Sequence, residues 1–294
     1  MNPKKEAAAG VMFLLPSLLG YIVFMFFPIV FSLILSFSEW DLISGLQTIK
    51  MVGLENFKQL FQDDLFFHSL KNNFIYAVGV VPVTMIIALL LAVALNRMVY
   101  MKGALRLVFF MPYITTIVAA SVVWMALLHP SQGPLTQFLH SLGVEHTPQW
   151  LGSTTWALPS LMLMMIWNGL GYDLVIYMAG LQGISKELHE AAEVDGATGI
   201  NKFFYITIPL LSPTTFFLFI TRIIQSFEVF GPVNIMTQGG PGDSTSVLVH
   251  YIYVVSFQFY KFGYGSAIAW VLFLIIFLIT LIQWRQQKKW VTYT

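Results

Sequence analysis

The sequence predicts an all-α fold, an integral membrane helical bundle with about six transmembrane helices. Charged residues make up only 10% of the 294 residues and hydrophobic residues 57%, whereas a soluble domain usually carries about 25% charged residues. The mean hydropathy is +0.75. Two long runs, 7–38 and 72–96, contain no Asp, Glu, Lys or Arg. Because roughly 20 apolar residues in a helix cross the bilayer core, each run is long enough to span a membrane.

Six apolar segments have the length of a spanning helix. The first follows Lys4 and Lys5, as the apolar core of a signal peptide would. It is longer than the roughly 7–15 residues of a cleavable core, and no small-residue cleavage pattern follows, so we expect a retained span. No internal repeat is visible, and the chain is predicted to form a single domain over residues 1–294. The predicted spans are 11–37, 72–95, 106–128, 155–180, 204–230 and 265–284.

Lysine and arginine predict the orientation of the bundle, because cytoplasmic loops carry an excess of both. With the N-terminus inside, ten of these residues fall in inner segments and four in outer segments, while Arg222 lies within the fifth span. Both termini are therefore expected in the cytoplasm. The inner residues are Lys4, Lys5, Arg97, Lys102, Arg106, Lys186, Lys202, Arg285, Lys288 and Lys289, and the outer ones are Lys50, Lys58, Lys71 and Lys261.

Aromatic residues cluster in two of the outer segments. The first cluster lies among Lys58, Asp63 and Asp64 and predicts a helix at the level of the lipid headgroups; the second precedes the sixth span. Anchoring at the lipid interface explains both clusters, and contact with an external partner is the alternative. The clusters are Phe57, Phe61, Phe66 and Phe67, and Tyr251, Tyr253, Phe257, Phe259 and Tyr260.

The inner segment 183–209, between the fourth and fifth spans, predicts a short acidic helix. Ser185 can cap its start, and Gly196 permits the turn that ends it. A second short helix, 199–208, would lead to Pro209 at the start of the next span. Such a helix projects into the cytoplasm and can dock on a soluble partner, whereas an ordinary solvated loop is the alternative. The acidic residues of the segment are Glu187, Glu190, Glu193 and Asp195.

The same segment resembles the EAA signature of binding-protein-dependent ABC importer permeases. Glu190-Ala191-Ala192, then Gly196, and then Ile206–Pro209 stand in the order of that motif, with Ile208 where leucine is usual. Other motifs are similar to the carbohydrate branch, the maltose-type permeases, and together they cover most of the chain. These motifs are Leu15–Leu19 (LPSLL), Phe27-Pro28, Pro209–Pro213 (PLLSP), Thr237–Pro241 (TQGGP) and Phe262–Ala267 (FGYGSA).

The resemblance implies that the acidic helix is a coupling helix, held by a separate ATPase subunit. The chain would then be a transmembrane permease in the cytoplasmic (inner) membrane of a prokaryote and would work by alternating access. The implied partners are a second homologous permease, two ATPase subunits that bind ATP and Mg²⁺, an extracytoplasmic solute-binding protein, the lipid bilayer and a sugar. The implied coupling residues are Glu190, Ala191, Ala192, Asp195 and Gly196.

The sequence contains neither an ATPase motif nor a catalytic pattern. A phosphate-binding Gly-x4-Gly-Lys-Ser/Thr motif requires a Gly-Lys pair, which is absent. His129, His140 and His146 match no metal-ligand spacing and are interpreted as solvated. We expect a transporter subunit rather than an enzyme, with no cofactor in this chain; the net charge of +1 gives no support to a nucleic-acid partner. A secondary transporter is the alternative, although it would normally show an internal repeat.

Polar residues inside the fourth and fifth spans predict a polar cavity, because an ionisable residue at mid-bilayer costs roughly 2.5–3.5 kcal/mol. Asp173 and Arg222 could neutralise each other as an ion pair between helices; an unpaired Arg222 would instead favour an acidic cargo. The maltose-type resemblance implies that the spans flanking the EAA segment contact the sugar. The predicted substrate-binding residues are Asn168, Gly169, Tyr172, Asp173, Arg222, Gln225 and Ser226.

Overall fold

The computed structural model describes residues 3–41, 45, 48–97 and 101–291, of which residues 3–10 and 97 are described by their helices alone. The side chains of Lys4, Lys5 and Arg97, which contribute to the predicted orientation, therefore lie outside the described part. The chain divides into two compact units. The first comprises Met1–Asp64 with Ile252–Phe273, and the second comprises Leu65–Tyr251 with Leu274–Thr294.

The first unit contains the first predicted span. Near its middle, the N–H of Phe27 bonds to the carbonyl of Ile22, one residue further back than in an α-helix. Pro28 follows and has no N–H to offer, which accounts for a local π-helical turn. In chain order the elements are α1 (Pro3–Tyr21), the π-helical turn (Ile22–Phe26), α2 (Phe27–Ser36), β1 (Ser38–Glu39), which pairs antiparallel with β2 (Lys50–Met51), and α3 (Glu55–Leu60).

The second unit contains the helices on which the candidate site lies. In chain order the elements that follow α3 are α4 (Asp64–Arg97), α5 (Lys102–Ile114), α6 (Ile117–Leu127), α7 (Pro134–Ser141), α8 (Ala157–Gln182), α9 (Lys186–Val194), α10 (Gly199–Lys202), a π-helical turn (Phe203–Thr207), α11 (Ile208–Leu210), α12 (Ser212–Phe227), a second such turn (Val233–Thr237), α13 (Leu248–Tyr253), a third (Val254–Gln258) and α14 (Phe262–Trp290). Asp64 and residues 252–273, which include the end of α13, the third π-helical turn and the first part of α14, belong to the first unit.

Within the described residues, the helices confirm the predicted fold class. Four are long and apolar enough to cross a membrane, and two bent helix pairs raise the number to as many as six. The bent pairs are Lys102–Ile114 with Ile117–Leu127, at 97°, and Gly199–Leu210 with Ser212–Phe227, at 63°. The four long helices are Val11–Ser36, Asp64–Asn96, Ala157–Gln182 and Phe262–Trp290.

The structure differs from a set of straight spans at the third and fifth positions. The third breaks where Thr115 and Thr116 both have extended backbones, and Thr116 then caps α6 by accepting the N–H of Ala119 (3.4 Å). The predicted headgroup-level helix also differs, because α3 ends at Leu60 and the following aromatic pair, Phe66 and Phe67, lies on α4.

The first span exposes most of its apolar surface. Only 6% of its most apolar stretch is buried within this chain, and Phe13 and Phe24 are 88% and 83% exposed. Lipid tails can cover such a helix, because a helix pairs its backbone polar groups within itself.

Two buried clusters in the second unit surround the polar part of α8. The first gathers around Tyr76, Leu161 and Met164. The second gathers around Leu174 and Tyr177, together with residues of α4 and α12. The polar stretch 168–173 lies between them along α8, so close packing on both sides determines its position.

Candidate functional site

An ion pair joins α8 to α12 at the centre of the candidate site. The Nε and Nη2 atoms of Arg222 both lie 2.8 Å from Oδ1 of Asp173. Asp173 is fully buried, and the Arg222 side chain is only 11% exposed. The polar faces of α8 and α12 therefore meet, as the sequence predicts for the fourth and fifth spans. In this structure Arg222 is paired with Asp173 and is not free.

The remaining donors of Arg222 are also engaged. Nη2 donates to the carbonyl of Gly169 (2.7 Å), and Nη1 donates to Oε1 of Gln225 (3.1 Å). The guanidinium carbon lies 5.3 Å from the centre of the Tyr172 ring, within cation–π range. A Cβ at Gly169 would lie 3.1 Å from Nη1 of Arg222, so glycine permits this close approach. Arg222 is therefore fixed from several directions.

Two predicted sugar contacts are occupied by the protein itself. Asn168 is buried, and its Nδ2 donates to the carbonyl of Pro112 on α5 (2.7 Å). Ser226 is buried, and its hydroxyl donates to the carbonyl of Ile223 one turn earlier (2.7 Å). In this conformation Asn168 joins α8 to α5, a usual role of polar residues between membrane helices, whereas the hydroxyl of Ser226 is satisfied within α12.

Tyr172 and Gln225 are the predicted site residues with accessible polar surface. Gln225 is exposed, and Tyr172 is half-buried. Tyr113 on α5 stacks on Tyr172, with ring centroids 5.0 Å apart and planes inclined by 29°. This pair provides the flat aromatic surface beside hydrogen-bonding groups that a sugar site needs. Sequence reasoning missed Tyr113 because an aromatic residue in an apolar span carries no signal of its own.

The described residues around His129, His140 and His146 contain no candidate metal-binding group. No group of three or more His, Cys, Asp or Glu side chains there could hold a metal ion. Nδ1 of His129 instead accepts the backbone N–H of Gln132 (3.1 Å) and stabilises the turn that precedes α7.

The second half of the candidate site is α9, whose start and end match the sequence prediction. Ser185 caps the helix, its hydroxyl oxygen accepting the N–H of Glu187 (3.2 Å). At the other end, Gly196 has φ +78°, a left-handed conformation that favours glycine. The N–H of Ala197 then reaches back to the carbonyl of Ala192 (2.8 Å), which is the bond of a Schellman C-cap.

An ion pair links α9 to the helix that follows. The ammonium group of Lys202, on α10, bonds to a carboxylate oxygen of Glu193. This hydrogen bond and the positive charge of Lys202 lower the pKa of Glu193 below its ordinary value. Thr198 caps α10 by accepting the N–H of Asn201 (3.3 Å). The ion pair thus connects the two capped short helices, α9 and α10.

No residue of α9 is buried. Glu190, Ala191, Asp195 and Gly196 are exposed, and Ala192 is half-buried. The helix therefore presents nearly its whole surface, while its two ends continue into α8 and, through α10 and α11, into α12. A partner protein that displaced α9 would therefore also displace the ends of α8, which carries Asp173, and of α12, which carries Arg222.

Comparison with known proteins identifies the family. The family model described as "Binding-protein-dependent transport system inner membrane component" matches residues 84–291. The probable ABC transporter permease protein YesP of Bacillus subtilis (strain 168) is 35% identical over 294 residues, 99% of this chain and 94% of the relative. The lactose transport system permease protein LacF of Rhizobium radiobacter is 32% identical over 286 residues, 95% of this chain and 94% of the relative.

A solved structure has the same fold. It is a bacterial alginate ABC transporter in complex with an alginate pentasaccharide-bound periplasmic protein; one of its chains superposes with a TM-score of 0.83 at 24% identity, covering 97% of this chain and 96% of that one. The alternative of a secondary transporter finds no support among these relatives. The chain belongs to the inner membrane components of binding-protein-dependent transport systems, the multi-pass permease subunits of ABC importers, and is a transporter component rather than an enzyme.

Proposed function

We propose that this permease conducts a sugar or oligosaccharide into the cytoplasm and that α9 is its coupling helix. The observation that carries the proposal is that α9 is capped at both ends, has no buried residue and is connected along the chain to α8 and α12. A stiff projecting helix transmits a displacement that a loose loop would absorb. The lactose permease relative and the resemblance to maltose-type permeases support a sugar as the cargo.

The proposed partners follow from the same assignment. Two ATPase subunits, loaded with ATP and Mg²⁺, would hold α9 and its counterpart on a second, similar permease. A solute-binding protein would deliver the sugar on the opposite side of the membrane. Both termini would then lie in the cytoplasm, on the side of α9.

The cargo would contact Tyr172, Gln225 and Tyr113, while the ion pair beneath them holds α8 against α12. Because Arg222 is paired with Asp173 in this structure, the charge of the pair is already balanced and a neutral sugar is the favoured cargo. In the other conformation of the transport cycle the pair would have to separate for Arg222 to reach an acidic sugar.

Uptake into proteoliposomes tests this proposal. The permease, reconstituted with its partner permease, ATPases and binding protein, is offered labelled lactose and a labelled galacturonic-acid disaccharide, with and without ATP. We expect ATP-dependent uptake of the neutral sugar that requires the binding protein. Uptake that persists without the ATPase subunits would contradict the assignment.

The Arg222→Gln and Asp173→Asn/Arg222→Gln variants test the charge of the cargo. The double variant is the matched control, because it removes Arg222 without leaving Asp173 unpaired. A neutral cargo predicts that the double variant retains uptake better than Arg222→Gln. Loss of acidic-sugar uptake in both variants, with normal assembly, would show instead that Arg222 binds an anionic cargo.

A further inference from the structure

Three buried polar side chains in the first turns of α4 contact α12, α13 or the segment that joins them. Oγ of Ser69 lies 2.9 Å from Oγ of Ser246. Nδ2 of Asn72 donates to the carbonyls of Asp243 (3.2 Å) and Ser246 (2.9 Å). The third side chain is Asn73, which is fully buried, as is Ser69. Buried amide groups require hydrogen-bond partners, and here the partners come from that segment and the helices beside it.

Asn73 differs from its neighbour in the elements that it joins. Its Oδ1 accepts the backbone N–H of Leu248 at the start of α13 (2.8 Å), and its Nδ2 donates to the carbonyl of Ser226 in the last turn of α12 (3.3 Å). A carboxamide can do both because it offers a donor and an acceptor on one planar group. In the described part of the chain, Asn72 makes no hydrogen bond to α12.

The helix that Asn73 contacts, α12, also carries Arg222 of the candidate site. Arg222 lies one turn before Ser226 and binds α12 to α8. At its other end α12 begins at Ser212, directly after the short helices that follow α9. Its 16 residues make a rod about 24 Å long. A displacement at the Asn73 end is therefore transmitted along a rigid element towards α9.

We propose that Asn73 is a positioning residue that ties α12 to the segment 237–248, so that docking of the solute-binding protein on this segment displaces α12. The segment exposes Gln238, Gly242 and Asp243 and buries most of the other residues, as expected for a surface contact supported from below. The inference rests on the proposed function and adds to it the connection by which docking reaches the ion pair and the coupling helix.

The test measures ATP hydrolysis by the complete importer in proteoliposomes, with and without its binding protein, in the presence of lactose or a galacturonic-acid disaccharide. Asn73→Leu removes both hydrogen bonds. Asn73→Asp, when ionised, keeps the acceptor for Leu248 and has no hydrogen for Ser226. Asn72→Leu is the matched control, because it releases a buried amide bonded to the same segment without breaking a bond to α12.

We expect both Asn73 variants to retain basal hydrolysis and to lose stimulation by the binding protein by about fivefold to tenfold, as the loss of a buried hydrogen bond would produce. Asn72→Leu should retain stimulation within about twofold. Equal losses in Asn72→Leu and the Asn73 variants would overturn the proposal, since the amides would then only anchor the segment. Normal stimulation in the Asn73 variants would also overturn it.

Assembly is measured on the same preparations. If Asn73→Leu fails to assemble, Asn73→Asp, which has nearly the same shape, carries the test; failure of both assigns Asn73 to folding and overturns the proposal. The wild-type complex separates this inference from the proposed function. If the binding protein and sugar do not stimulate ATP hydrolysis by the wild-type complex, the proposed function is contradicted. If they stimulate the wild type and the Asn73 variants equally, only the positioning role of Asn73 is contradicted.

Discussion

At the scale of single residues, the most consequential contact is the buried pair of Arg222 and Asp173. Oδ1 of Asp173 accepts a hydrogen bond from Nε of Arg222 and lies 2.8 Å from Nη2, while Oδ2 has no hydrogen-bond partner among the described residues. A buried carboxylate with one unsatisfied oxygen is held by its partner but is not fully compensated. The pair therefore fixes how α8 and α12 face each other.

Removing one member of this pair should destabilise the protein more than removing both. In Asp173→Asn, or in Arg222→Gln, the remaining charge is buried without a partner, and we expect a loss of roughly 3–5 kcal/mol of unfolding free energy. The double variant should recover much of this loss. Thermal unfolding of the purified complex in detergent measures the effect. A double variant no more stable than the worse single variant would contradict it.

His250 predicts a pH dependence of the segment that packs on it. Its side chain is almost fully buried, Nδ1 has no hydrogen-bond partner among the described residues, and the ring lies against Gly239 and beside Phe230. Burial lowers the pKa of His250 from its ordinary value of 6.5, opposed by the nearby charge of Asp243. The unfolded segment therefore binds a proton more readily than the folded one, so stability is full above pH 6.5 and declines as the pH falls below it.

Hydrogen–deuterium exchange of residues 237–250 checks this expectation. After correction for the intrinsic rate, exchange should be faster at about pH 5.5 than at about pH 7.5 in wild type, because the imidazole of the unfolded segment, with its ordinary pKa of 6.5, gains a proton between these two pH values. His250→Gln should remove most of the difference. The same pH dependence in the variant would assign the effect to another group.

At the scale of elements, the parts of the fold that follow from local chemistry were predictable. The helical part of α9 follows from Ser185 and Gly196, and the meeting of α8 with α12 follows from the spacing of their polar residues. The break between α5 and α6 could not be predicted. Thr115 and Thr116 end one helix and begin the next, but the apolar pattern of the sequence continues across them. The partner of Asn168 was also unpredictable, since its bond to Pro112 depends on how the bent pair packs on α8.

The left-handed turn at Gly196, after α9, should be destabilised even by the addition of a methyl side chain. Gly196→Ala introduces a Cβ at φ +78°, which costs roughly 1–2 kcal/mol and favours a different direction for the chain leaving the coupling helix. We expect ATP-driven uptake to fall while the complex still assembles. Gly103→Ala, in α5, is the control, since its Cβ would meet nothing within 4 Å. Equal uptake by the two variants would show that the turn is not needed for coupling.

At the scale of the whole molecule, the fold is that of a permease, and the orientation of the bundle in the membrane is a prediction. The sequence relatives assign the chain to the permease family, and a solved structure has the same fold. The single domain over residues 1–294, the cytoplasmic termini and the sugar contacts remain predictions. Orientation cannot be read from the helices alone, because a bundle of helices fits a bilayer equally well either way up. Only charges in the connecting segments distinguish the two sides.

Thiol labelling tests the orientation directly, because the chain contains no cysteine. Glu190→Cys and Ser131→Cys each introduce one exposed thiol, in α9 and in the segment after α6. In intact cells that lack the outer barrier, an impermeant maleimide should label Ser131→Cys and should reach Glu190→Cys only after the inner membrane is opened. The reverse pattern would place α9 outside and would remove the basis for coupling to a cytoplasmic ATPase.

The exposed surface of the first span has a consequence for how much of this subunit a cell can maintain. Only 6% of the most apolar stretch of this helix is buried by its own chain. Lipids or protein subunits that bind it therefore stabilise the folded protein, and this stabilisation increases with their concentration. Where neighbouring subunits contribute to that cover, copies made in excess of them are less stable than copies in finished complexes. Supply of the other subunits, as well as the sequence of this one, then limits its abundance.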